Sequence, residues 1–271
     1  YGIARPSHAD YTAFCKYHGY EDYRGGGHFS GRVTAGIVAA ASIVKSALES
    51  IGINIATHVL ECANVQDKPF NDIKNEILTI KSATFPVIDK AQGAKMKEEI
   101  EKAKADGDSV GGVTETAIIG LPEGVGEPWF DSVESILSHA LFSIGGIKGV
   151  EFGNGFEMTK MRGSAANDAF ALENGKVVTT TNNNGGVNGG ITNGMPVIFK
   201  CAVKPTPSIY KTQNTVNFLK KEETEINIRG RHDPAIIRRI CPVIDAVAAL
   251  AVADLLQQKY GADVMIKGIG K

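Results

Sequence analysis

A mixed α/β (α+β) fold is what this sequence predicts, and two observations predict it. Apolar residues recur at three- and four-residue intervals through Val33, Ile37, Ala40, Ala41, Val44 and Leu48, the spacing that lines one face of a helix. Separate runs of strand length, 53–62, 113–121, 150–159 and 195–203, are apolar or alternating and are divided by Gly, Pro, Asn and Asp.

Taken in order, residues 1–30 read as a loop-rich, aromatic segment carrying Tyr11, Phe14, Tyr17, Tyr20 and Tyr23. A helix over 31–51 follows, with Lys45 and Glu49 on its solvated side and Gly52 as its stop. After the strand at 53–62, residues 70–78 and 94–105 read as helices, the second with a Lys/Glu face turned to water. The strand at 113–121 runs into a Pro/Gly loop at 122–128, and a helix over 131–142 takes Asp131 as its N-cap. Between the strands at 150–159 and 195–203 lies 179–194, rich in Asn, Gly and Thr. It is too polar for core and too long for a simple hairpin, which marks it as a functional loop. Asp233 caps and Pro234 opens a final helix, which bends at Pro242. No repeat or linker divides the 271 residues, so a single domain is expected.

Composition narrows the function classes. Hydrophobic residues make up 43% and charged residues 22%, ordinary for a soluble globular protein. A net charge of −1 argues against nucleic acid or an anionic membrane as partner, so any anion site must be built from local charge. Cys15, Cys62, Cys201 and Cys241 form neither a metal-type pair nor a disulfide framework, and a reducing cytoplasm is expected. No apolar stretch is expected to span a bilayer, because Asp245 and Asp254 interrupt 240–256. The chain starts at Tyr1 and enters a motif almost at once, from which a native N-terminus lying elsewhere is expected.

The run Arg24-Gly25-Gly26-Gly27-His28-Phe29-Ser30-Gly31-Arg32 is the most informative stretch. Consecutive glycines let backbone N–H groups approach a ligand, and the helix behind them suits an anion or the polar edge of a cofactor. A plain turn would read the same way, so its neighbours matter: Arg5-Pro6-Ser7-His8-Ala9-Asp10 upstream and Arg229-Gly230-Arg231-His232-Asp233-Pro234 downstream. A generic nucleotide-binding enzyme is disfavoured by the lack of Gly-x-Gly-x-x-Gly and of a P-loop.

Six segments in order, Arg5 to Thr12, the glycine loop to Arg32, Arg162-Gly163-Ser164, Gly189-Gly190-Ile191, Lys204-Pro205-Thr206-Pro207-Ser208 and Gly230 to Pro234, give a chain that resembles the chorismate synthase family. The resemblance implies antiparallel β-sheets sandwiched with helices, assembled as a homotetramer. It also implies a cytoplasmic flavoenzyme that converts 5-enolpyruvylshikimate-3-phosphate to chorismate and phosphate. That reaction is a 1,4-anti elimination requiring reduced FMN without net redox change; whether the chain reduces its own flavin with NADPH stays open. The family's first quarter, with a Gly-Glu-Ser-His-Gly histidine and several arginines, has no counterpart here. A fragment that binds flavin or phosphate without turnover is therefore the alternative.

By the same resemblance, His8 protonates the reduced flavin and Asp233 accepts a proton, although a loop hydrogen bond and a helix cap would explain these residues equally well. Arg5, Arg32 and Arg231 become the substrate contacts, since the guanidinium fork suits carboxylates and phosphate; surface ion pairs are the other reading. For FMN the matching positions are His28, Phe29, Ser30, Ala165, Ala166, Gly189, Lys204, Pro205, Thr206, Pro207, Ser208 and Arg231. Two pairs depart from the family pattern: His28 and Phe29 replace Arg and Ser, and Ala165 and Ala166 replace polar residues. Arg24 and Arg229 are left as surface charges, and no metal is expected.

Overall fold

The computed structural model describes residues 1–24 and 26–269; Gly25 of the glycine run lies outside the described residues. In chain order the elements are α1 (Asp10–Tyr17), α2 (Thr34–Ser50), β1 (Asn54–Cys62), β2 (Val65–Gln66), α3 (Ile73–Lys81), α4 (Lys90–Ala105), β3 (Gly112–Ile119), α5 (Val133–Phe142), β4 (Ile147–Phe152) and α6 (Gly163–Ala166). There follow β5 (Phe170–Glu173), β6 (Lys176–Thr179), β7 (Val187–Asn188), β8 (Ile191–Thr192), β9 (Val197–Val203), β10 (Gln213–Asn217), β11 (Glu222–Ile226), α7 (Ile237–Tyr260) and α8 (Val264–Lys267).

Five strands form one antiparallel sheet in the order β2-β1-β3-β9-β4. Successive side chains on a strand point to opposite faces, and β1 shows what covers each. Thr57 donates a 2.6 Å hydrogen bond to Asp245 of α7, whereas Ala56 packs with Ala117 of β3 against Ile77 and Ile80 of α3. Helices therefore lie on both faces, an α+β sandwich.

α7 is apolar around most of its circumference because it is covered on all but one stripe, where Pro242, Leu250, Asp254 and Gln257 are exposed. The expectation that no apolar stretch reaches membrane-spanning length is corrected here. Ile237–Tyr260 has that length and a mean hydropathy of 1.8, but 72% of the tested window is buried inside the protein, which accounts for its character. Gly31–Ser50 also has the length, with mean hydropathy 1.3 and 11% of the window buried. Between the two helices, Lys45 is not the solvated residue expected. Its Nζ lies 2.9 Å from Asp245, which also accepts from Thr57, itself 2.8 Å from Thr116. Burial pushes the Asp245 carboxyl upward, against the pull of Lys45.

Other expectations shift for local reasons. Residues 10–17 are helical, not loop. Ser132, not Asp131, caps α5, because its extended backbone lets Oγ accept from Ser135 N at 3.0 Å. The strand expected over 150–159 ends at Phe152 and becomes a 3-10 helix, Gly155–Lys160. The last helix begins at Ile237, four residues beyond the Asp233 cap position. The Pro234 carbonyl, which a helix starting there would need, accepts instead from Val110 N at 2.9 Å.

His58 is fully buried on the α3-side face. Its Nε2 lies 3.1 Å from Glu115 Oε2 and its Nδ1 3.5 Å from Asp67 Oδ2, with Phe70 edge-on to the ring at 4.7 Å. Asp67 also accepts from Ile88 N and Asp89 N, and Glu115 from Phe70 N. The triad thus fastens residues 67–70 and 86–89 to the sheet.

Candidate active site

The N-terminal motif is built as a turn against a hairpin. Ile3 bridges Asn217 of β10, Ala4 N donates to Val216 O, and Thr215 Oγ1 donates to Ala4 O. Arg5 then closes on Asp10 through its backbone N–H, Nε and Nη2 at 2.9, 2.8 and 2.7 Å. Burial raises the Asp10 carboxyl, but these bonds outweigh it and hold the group below the usual carboxylate range. The fork expected to meet substrate is thus engaged with Asp10 in this structure.

Between Pro6 and His8 the chain makes a left-handed step at Ser7, φ 60°. His8 is left half-buried, with Nδ1 3.0 Å from Pro6 O and Nε2 2.8 Å from Ser208 Oγ. A carbonyl only accepts, so neutral His8 carries its proton on Nδ1 and accepts the Ser208 hydroxyl at Nε2. Burial lowers its pKa, Pro6 O pulls the other way, and the Arg5 and Lys204 charges lower it further. Relieving the αL step at Ser7 returns about 1–2 kcal/mol and glycine costs about 0.4–1 in the unfolded chain. Ser7→Gly should therefore raise the urea midpoint slightly, and earlier unfolding would contradict this account of the turn.

Segment 204–208 leaves the end of β9 and meets the same turn twice, through Ser208 and through Lys204 Nζ, 2.9 Å from Ser7 O. Ser109 Oγ holds Thr206 O at 2.6 Å, and Tyr210 N bonds Gly107 O at 2.9 Å. Gly111 lies so close to this backbone that a Cβ would meet Val203 O at 2.4 Å and Pro205 at 2.9 Å. From Ser109 the path continues to Val110, bonded to Pro234 O, beside Asp233. Tyr210 OH donates to Gly230 O at 2.6 Å and its ring lies 5.0 Å from that of His232, flanking Arg231. Arg5, His8, residues 204–208, Gly230 and Pro234 thus belong to one hydrogen-bonded cluster of segments, and Arg231 and Asp233 are the sequence neighbours of its last two members.

Asp233 Oδ2 is 3.0 Å from Arg239 Nε, and Oδ1 accepts a long 3.4 Å bond from Ala235 N. It borders an open groove of about 340 Å³ with Thr84, Phe85, Lys97 and Arg238. Arg231 is exposed and, among the described residues, makes no ion pair.

The remaining predicted positions are not drawn into this cluster. His28 and Phe29 form an exposed 3-10 turn, their rings 4.2 Å apart, with Tyr17 at 5.9 Å from His28. Ser30 accepts from Arg32 N at 3.3 Å and starts the turn into α2. Arg32 is exposed without an ion pair among the described residues, whereas Arg24 pairs with Asp22 at 2.8 Å. The carbonyls of Ala165 and Ala166 accept from Asn183 Nδ2 at 3.3 and 3.1 Å. Asn183 lies by Gly153 and the start of β9, so this group is a strand length, roughly 20 Å at ~3.3 Å per residue, from segment 204–208. Gly189 and Gly190, at φ 61° and 88°, make the two-residue turn of the β7–β8 hairpin; a Cβ at Gly189 would meet nothing within 4 Å. The 179–194 loop is organised by Asp168, which accepts from Thr181 Oγ1, Asn183 N, Asn184 N and Asn184 Nδ2. Sequence reasoning missed this anchor, as it missed Asp10 and Ser109. Their only signal was a polar residue at a loop edge.

Two features fit a flavin phosphate or ribityl chain near segment 204–208. Thr206 Oγ1 is buried without a hydrogen-bond partner among the described residues, which demands one. Lys204 offers a cation on the same segment, and Arg231, next to the Gly230 that Tyr210 binds, makes no ion pair among the described residues.

The chorismate synthase family model matches residues 2–257. The chorismate synthase of Pyrococcus abyssi is 49% identical over 252 residues, 93% of this chain and 70% of that protein. That of Thermococcus kodakarensis is 44% identical over 263 residues, 97% of this chain and 73% of the relative. A crystal structure of chorismate synthase superimposes with a TM-score of 0.77 at 28% identity, covering 93% of this chain and 71% of the other. With sequence and fold in agreement over nearly its whole length, the chain belongs to the chorismate synthase family.

Proposed function

We propose that this lyase-family chain forms chorismate from 5-enolpyruvylshikimate-3-phosphate by 1,4-anti elimination of phosphate, with reduced FMN, in a cytoplasmic homotetramer. The observation that carries the proposal is His8 clamped against segment 204–208, which hydrogen bonds tie in turn to Gly230 and Pro234, the neighbours of Arg231 and Asp233. Reduced FMN, when bound, supplies the transient electron density that lets an unacidic C–H bond break as phosphate leaves. Lys204, Thr206, Ser208 and Arg231 are the groups here that would hold it.

The protein's part is to bind, orient and manage protons. His8 exchanges a proton at Nε2, because Nδ1 stays committed to Pro6 O. Burial lowers its pKa, so near neutrality the ring is uncharged and must first take up a proton at Nε2 before it can protonate the reduced flavin. Asp233 accepts a proton at a carboxylate oxygen beside the groove. Arg231 meets the substrate's anionic groups, and a fixed cation at the departing phosphate lowers the barrier; Arg32, outside the cluster, can reach substrate only from the 3-10 turn before α2. Arg5 acts from its bond to Asp10, holding the His8 turn in shape.

The experiment is anaerobic. Protein mixed with chemically reduced FMN and 5-enolpyruvylshikimate-3-phosphate should give chorismate absorbance. No product from the chain or from a full-length parent defeats the proposal. A second reading, binding without turnover, is favoured by the chain spanning about 70% of its relatives. Reduced-flavin binding without product here, with product once the family's N-terminal segment is supplied, would establish it.

A further inference from the structure

We propose that Ser208 is the positioning residue of His8: its hydroxyl, donated to Nε2, aims that nitrogen and makes it the site of proton exchange. The proposal rests on the catalytic reading of His8 above, but its geometry stands on its own. The two residues are 200 positions apart, and Ser208 Oγ sits 2.8 Å from Nε2 while Pro6 O sits 3.0 Å from Nδ1. An imidazole bonded at both nitrogens has no freedom to flip or to change tautomer without losing one bond.

The serine is itself held rigidly. Two prolines, Pro205 and Pro207, fix φ on either side of Thr206. Ser109 Oγ bonds the Thr206 carbonyl, and Lys204 Nζ bonds Ser7 O, on the residue next to His8. The backbone of 203–205 presses on Gly111 so closely that no side chain fits there. These contacts register the segment against the turn, so the hydroxyl arrives at Nε2 from a fixed support and not from a mobile loop.

The hydroxyl can serve both protonation states. With His8 neutral, Oγ–H donates to Nε2. With His8 protonated, Nε2–H donates and Oγ accepts, the serine hydrogen turning to its other side. No bond is left broken in either state, and the proton gained or lost at Nε2 passes through Ser208 Oγ, which gives up its own hydrogen on one side as it takes one on the other. The family pattern assigned Ser208 to flavin; the structure gives its hydroxyl a second employment, in the ring it touches.

The test is ¹⁵N NMR of histidine-labelled, cofactor-free protein, with His8 assigned by the peak pair that His8→Gln removes. The expected wild-type spectrum has a protonated, pyrrole-type Nδ1 and a pyridine-type Nε2 displaced by an accepted hydrogen bond. In Ser208→Ala, Nδ1 stays and Nε2 moves toward the unbonded pyridine-type position; Ser208→Thr restores it. In turnover, kcat should fall about 10²-fold in Ser208→Ala, the scale of a misaligned catalytic group, with KM for substrate unchanged and with recovery in Ser208→Thr. An Nε2 resonance unmoved by Ser208→Ala, or a wild-type His8 protonated at Nε2 when neutral, overturns the proposal. So does a weakened flavin affinity in Ser208→Ala with the His8 spectrum untouched. Because the spectrum is read without flavin or substrate, it decides this role even if no chorismate is formed.

Discussion

Asp233→Asn should cut chorismate formation by about 10²–10⁴-fold, the range of a lost general base, while leaving the fold intact. Asn keeps the oxygen that accepts from Ala235 N and removes only the charge and basicity. The structure strengthens this test. Asp233 is not the cap of α7, which starts at Ile237, so its substitution should not loosen that helix. Its ion pair with Arg239 lies at a largely exposed guanidinium and contributes little. Circular dichroism and the urea midpoint should therefore match the wild type. Single-turnover kinetics with reduced FMN under anaerobic conditions read the effect, and a wild-type rate would remove Asp233 from the mechanism.

The largest stability loss is expected at His58. Truncation to alanine leaves Glu115 and Asp67 buried without the imidazole between them, a change worth about 3–5 kcal/mol where that ring is protonated, or a fall of roughly 10 °C in melting temperature. Burial alone would lower the imidazole pKa, but the flanking Asp67 and Glu115 outweigh it and raise it. The sign follows from that direction. A raised folded pKa contributes stability fully below the unfolded value of about 6.5 and loses it as pH rises through the folded value. The gap between wild type and His58→Ala, from urea denaturation, should thus be wide at acid-neutral pH and narrow in alkaline buffer. Adding Glu115→Gln to His58→Ala should recover part of the loss. A gap that widens with pH, or a double variant worse than the summed singles, would show that the triad is not held by charge.

His58 also shows where sequence reading stops. It sits in a strand that was legible from its apolar run, yet nothing in the run says that Asp67 and Glu115 converge on it. Those partners come from a bulged strand pair and a returning loop. Lys45 is a second case: helical phase set it outside the apolar stripe, but α7 brings a buried Asp245 to meet it. Element ends failed where a distant bond intervened, as Val110 does at Pro234. At the candidate site, motif order pointed to His8, 204–208, Arg231 and Asp233, and hydrogen bonds do link the segments that carry them. Arg5's engagement by Asp10 and the separation of Ala165 and Ala166 from Lys204 were not legible, because partner choice and strand length in space are not local properties.

By itself, then, the sequence determined the alternation of helix and strand and the chemical cast of the site, because periodicity and residue type are written locally along the chain. Only the tertiary structure decided which nitrogen of His8 holds the proton of the neutral ring and which hydroxyl faces the other. That choice depends on a turn at Pro6 and a serine 200 residues away meeting within hydrogen-bond distance, and the sheet that joins them sets the meeting.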